Sequence, residues 1–74
     1  MEYTILIYKA QEGGFWAEVP VFPGCYSQGE TIEDSIDDMK KAIESHLLAL
    51  KEDGEEVPIR EIFIIGRVKV EASR

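Results

Sequence analysis

Nine consecutive residues, Pro23-Gly24-Cys25-Tyr26-Ser27-Gln28-Gly29-Glu30-Thr31, constrain this chain more than any others. The sequence before them reads as strands and the sequence after them as one long amphipathic helix. The stretch must therefore turn the chain twice and then start a helix. Pro23 fixes its own backbone angle, and Gly24 and Gly29 supply angles that a side chain would forbid. Thr31 is placed to cap the helix, because its hydroxyl can accept a bond from an amide left unpaired in the first turn. Glu33 and Asp34 then set negative charge at the positive end of the helix dipole. Between these devices there is room for a short strand, Tyr26 to Gln28.

The residues ahead of the turn favour a hairpin. Tyr3 to Lys9 is rich in β-branched and aromatic side chains, Gln11-Glu12-Gly13-Gly14 is a turn signal, and Phe15 to Val19 forms the returning strand. Alternation places Phe15, Ala17 and Val19 on one face and Trp16 and Glu18 on the other. Past the turn, Ile32, Ile36, Met39, Ile43, Leu47 and Leu50 recur at intervals of three and four, which predicts a helix from Ile32 to Glu52. Gly54 is positioned to end it, and Pro58 prevents an early restart. Ile62 to Val70 reads as a last strand, with a bulge expected at Gly66.

The expected order is β-β-β-α-β. This is an α+β design, a three- to four-stranded, mainly antiparallel sheet with one long helix packed on one face. One helix covers one face only. The other face is expected to carry Leu6, Tyr8 and Trp16, joined by Phe63 and Ile65 from the last strand. An uncovered apolar patch of this kind marks an interface.

Length sharpens that expectation. The 74 residues make a single small domain, with no room for a C-terminal DNA-binding domain. Chains this short add a disulfide, a metal or a partner. Cys25 is the only cysteine and His46 the only histidine, so neither a disulfide nor a metal site is expected, and a homodimer is. No cofactor is expected. No apolar run approaches the roughly 20 residues of a membrane span, Met1-Glu2-Tyr3 does not open a secretory signal, and a lone cysteine suits the cytoplasm. Fifteen acidic residues against eight basic ones give a net charge of −7. That argues against direct nucleic-acid binding and for a basic protein partner, since opposite fields steer association.

Three constellations need weighing. Cys25 with His46 as base would make a nucleophile, but nothing in the sequence brings them together, and a free cysteine in an apolar turn packs as a small hydrophobe. Glu33, Asp34, Asp37 and Asp38 could ligate metal, but a two-metal site draws carboxylates from several elements, and these share one helical face. A solvated helix end is the simpler reading, and a docking surface for a basic partner, through Glu33 and Asp37, is the alternative. Trp16 is the leading contact residue, because large aromatics dominate interface energetics. Read in isolation, these features describe a binding protein rather than an enzyme.

The string Val19-Pro20-x-x-Pro23-Gly24-Cys25-x-Ser27-x-Gly29-x-Thr31-x-x-Asp34, with Gly13-Gly14-Phe15 before it and an acidic helix after it, resembles the HicB family of antitoxins. The resemblance runs from Tyr3 to about Pro58. It implies a partial ribonuclease-H-like β-β-β-α-β domain. It also implies a small basic partner of the HicA type, a toxin that cleaves messenger RNA and whose active site the antitoxin covers. Many family members carry a DNA-binding domain as well, which this chain departs from. The alternative is an orphan homodimeric domain with a structural or regulatory role and no toxin. In the resemblance, Pro23, Gly24, Gly29 and Thr31 are structural turn residues. The binding surface is either the helix-free sheet face or the acidic helix.

Overall fold

A computed structural model describes residues 1–72. Three strands, β1 (Leu6–Lys9), β2 (Phe15–Glu18) and β3 (Tyr26–Gly29), precede one helix, α1 (Ile32–Glu52). The sheet is antiparallel in the order β1-β2-β3, with Tyr8 opposite Trp16 and Trp16 opposite Gln28. This is the expected α+β arrangement, a small sheet with a single long helix against one face.

The helix ends are set by the residues that marked them in the sequence. Thr31 sits in extended conformation, and its hydroxyl accepts the Asp34 amide at 3.0 Å. At the other end Glu55 N–H reaches back to Leu50 O at 2.9 Å and Gly54 N–H to Lys51 O at 3.2 Å. Gly54 takes φ +73°, the left-handed value this kind of cap requires. Glu33 and Asp34 lie in the first turn and Lys51 in the last, each complementing the dipole.

The helix packs chiefly over β3 and next over β2. Ala17, Val19, Phe22, Cys25 and Met39 form the buried core, flanked by half-buried Tyr3, Ile5, Ile7, Ile43, Leu47 and Leu50. The first turn of the helix's inner face departs from the apolar stripe. Ser35 is fully buried, while Ile32 and Ile36 at the same end are exposed. The cause is the approach of α1 to β3. A Cβ on Gly29 would stand 2.5 Å from Ser35 N and 2.6 Å from Asp34 Cβ, so only glycine fits at the end of β3 and only a small side chain fits opposite. Gly24 has the turn conformation expected of it, φ +85°. Gly29 does not lie in the left-handed region, and its role is clearance rather than backbone freedom.

Residues 62–70 depart from the expected last strand. They form no strand and join no sheet, and their side chains are exposed apart from half-buried Phe63. The pattern of side chains in a strand needs a neighbouring edge to pair with, and this segment runs past the body instead. The chain returns to the start of β1, where Tyr3 Oη donates to Pro58 O at 2.7 Å. Thr4 donates through both its amide and its hydroxyl to the Glu61 carboxylate. Beyond Glu61 it leaves.

Candidate functional site

Strand alternation and the pairing register together build the helix-free face. Leu6, Glu18 and Tyr26 form one cross-strand row, and Tyr8, Trp16 and Gln28 the next. Tyr8 and Trp16 stack with ring centroids 4.2 Å apart and 16° between planes. Tyr26 and Trp16 pack edge to face with ring centroids 6.0 Å apart. Trp16 is 36% exposed and lies at the middle of this ladder. The Tyr8 hydroxyl donates to Glu18 at 2.5 Å, which locks the phenol toward β2. That bond, with desolvation and the carboxylate's charge behind it, raises the Tyr8 pKa above its ordinary value. The result is a rigid aromatic strip with one carboxylate set into it, open to solvent.

Leu6, Tyr8 and Trp16 therefore share the face that the sequence assigns to them. Phe63 and Ile65 are not brought to it; both lie in the segment outside the sheet. Tyr26 belongs to the face too; the sequence places it in a short strand, Tyr26 to Gln28, without assigning it to the helix-free face. Its alternation with buried Ser27 was the available signal.

Glu33, Asp34, Asp37 and Asp38 are all exposed on α1, with Asp34 and Asp38 on the side that borders β3. Asp38 is engaged, accepting the Gln28 amide of β3 at 3.1 Å. Among the described residues no three histidine, cysteine or carboxylate side chains converge in a metal-binding arrangement. Cys25 is buried, 8% exposed, and burial pushes its thiol pKa up. His46 packs on Phe22 at 4.7 Å between ring centroids, and among the described residues no side-chain hydrogen bond joins it to Cys25. A buried thiol that resists ionisation and lacks a base is a packing group. Gly24 takes the left-handed conformation of the turn, Gly29 gives α1 its clearance, and Thr31 caps the helix.

The Ser27 hydroxyl donates to Ser35 O at 2.9 Å in the interior, and the Ser35 hydroxyl donates to Ile32 O at 2.8 Å. Both serines of this junction are thus satisfied internally and tie helix to sheet. No helix among the described residues is long and apolar enough to cross a membrane.

Comparison with known proteins agrees with this architecture. Residues 3–69 match the model of the HicB_like antitoxin of bacterial toxin-antitoxin systems. A UPF0150 protein of Thermoplasma acidophilum is 36% identical over 58 residues, which is 78% of this chain and 84% of that protein. A UPF0150 protein of Synechocystis is 36% identical over 62 residues, 84% of this chain and 78% of its relative. Among solved structures, the N-terminal domain of the Burkholderia pseudomallei antitoxin HicB superposes with a TM-score of 0.74 at 38% identity, covering 81% of this chain and 71% of that domain. The full-length antitoxin from the same organism gives 0.73 over the same share of this chain, which spans 46% of that longer protein. With the family match extending over nearly the whole length and the three-strand, one-helix body superposing on a solved antitoxin domain, this chain belongs to the HicB-like antitoxin family.

Proposed function

We propose that this protein is a non-catalytic, cytoplasmic antitoxin that neutralises a small basic messenger-RNA-cleaving toxin of the HicA type by covering its active site. Membership of the antitoxin family is the observation that carries this reading. The chemistry of the surface is consistent with it. A protein that grips RNA is basic, and an inhibitor with a net charge of −7 competes in part by presenting the substrate's own sign.

Of the two candidate surfaces, the sheet face is the better toxin site. Stacked Tyr8 and Trp16 with Tyr26 give a rigid aromatic centre, and Glu18 gives a fixed negative group. Aromatic rings and a carboxylate together suit an arginine or lysine side chain from a basic partner. Glu33 and Asp37 on the exposed helix add long-range attraction without fixing geometry. The protein works as a homodimer, and the sheet face of each copy is free to take a toxin.

Calorimetric titration with a HicA-type toxin, taken from a short basic reading frame next to this one, tests the proposal, and the lack of such a frame would favour the orphan homodimer instead. Raising salt from about 0.1 to about 0.5 M weakens binding if the electrostatic part holds. Affinity indifferent to salt would remove that part, and absence of binding would remove the toxin.

A further inference from the structure

The homodimer proposed above needs an interface, and the structure contains two unmatched halves of one. The first half is the outer edge of β1. The other outer edge of the sheet, β3, is closed where Asp38 takes the Gln28 amide. Among the described residues no such side chain closes Leu6–Lys9, and an uncapped edge is a template for another strand. Beside that edge lies an open apolar groove of about 370 Å³, lined by Tyr3 and Ile5 ahead of β1 and by Ile36, Met39, Ile43 and Leu47 of the helix. The groove exists because α1 sits over β3 and β2 and leaves the β1 side uncovered.

The second half is the segment after Glu61. Ile62 and Ile64 are 92% and 94% exposed, and Ile65, Val68 and Val70 are exposed too. Their β-branched run has strand composition and no strand to pair with. The segment leaves the body at the start of β1, where Glu61 holds Thr4, and the molecule measures 53 Å along its longest axis against 29 and 18 Å on the others. Ile62 to Val70 spans about 30 Å when extended, enough to run the length of β1 and of the Tyr3–Ile5 segment before it.

The geometry points to reciprocal exchange: residues 62–70 of each copy lie as a fourth strand along β1 of a second copy and cover its groove. Alternation then sends every second apolar side chain of the segment onto Ile36, Ile43 and Leu47. Charge favours the same occupant. Residues 60–74 hold four basic and two acidic side chains, whereas residues 1–59 hold four basic and thirteen acidic. The segment is therefore the basic part of an acidic chain, and a second copy presents it with the opposite sign. Exchange of one element between identical chains also keeps every apolar contact available to a two-layer domain of this size. The inference rests on the homodimer and is independent of the toxin.

Light scattering coupled to size exclusion, with amide hydrogen exchange on the same full-length samples, tests it. The expected mass is twice 8.4 kDa. Amides 62–70 and the outer amides of β1 are expected to exchange slowly together, and to lose protection together on dilution to monomer. Two variants separate interface from fold: Ile62→Asp with Ile64→Asp, and Phe63→Asp with Ile65→Asp. The pair facing the groove should give a monomer of unchanged helix content. A dimer whose residues 62–70 exchange as free chain, or one that survives both double variants, would overturn the exchange while leaving the homodimer. A monomer at about 100 µM, tail protected or not, would overturn both, since contacts on this scale hold well below that concentration.

Discussion

The Asp38 carboxylate on α1 accepts the amide of Gln28 on β3 at 3.1 Å. This single bond gives the sheet two unlike edges. The helix that packs over β3 also caps its outer amide, and the same placement leaves β1 and its groove exposed. Gly29 and Ser35 decide that placement, because they let the first turn of α1 approach the end of β3 more closely than any larger pair would.

Gly29→Ala should therefore destabilise the fold more than Gly24→Ala. At Gly29 the new methyl meets backbone at 2.5 Å, whereas at Gly24 it enters open space and meets only the strain of φ +85°. We expect losses of about 3 and about 1 kcal/mol respectively, read from urea unfolding midpoints at unchanged slope. Equal losses would show that the junction tolerates displacement.

Thr31→Ala should cost about 1 kcal/mol, since the Asp34 amide loses its acceptor at the helix start. Thr31→Ser should recover most of it. Thermal melts followed at the helical circular-dichroism band would measure both.

Burial raises the Cys25 thiol pKa, so the reactive thiolate is scarcer than for a free cysteine at any pH below that raised value. In the native protein Cys25 should react with a disulfide reagent at pH 8 at least about tenfold more slowly than in urea, from pKa and burial together. A native rate equal to the unfolded rate would place the thiol in solvent.

Trp16→Ala should separate binding from folding. Its ring is partly exposed and stacks on Tyr8, so folding should lose about 1 kcal/mol. Toxin affinity should fall by roughly thirtyfold, the scale of an aromatic anchor worth about 2 kcal/mol. Glu33→Gln with Asp37→Asn should instead change mainly the association rate and its salt dependence.

The helix was fully legible in the sequence, because its ends depend on local chemistry at Thr31 and Gly54. The hairpin and the sheet faces were legible from alternation at Phe15 to Val19. Ser35 was not, since a serine within an apolar stripe reads as polar until the clearance at Gly29 is known. The strand at Tyr26 was legible, but the face of Tyr26 was not: four residues of strand inside a turn give alternation too little length to fix its phase. Residues 62–70 have the composition of a strand, but composition cannot say whether the pairing edge belongs to the same chain. That edge is decided by where α1 sits.

The most direct measurement is messenger-RNA cleavage by a HicA-type toxin, sought as a short basic reading frame next to this one, followed as the chain is titrated in. Cleavage should stop near equimolar protomers, and Trp16→Ala should require a larger excess to stop it. Cleavage that continues undiminished at large molar excess of the folded protein would contradict the antitoxin function.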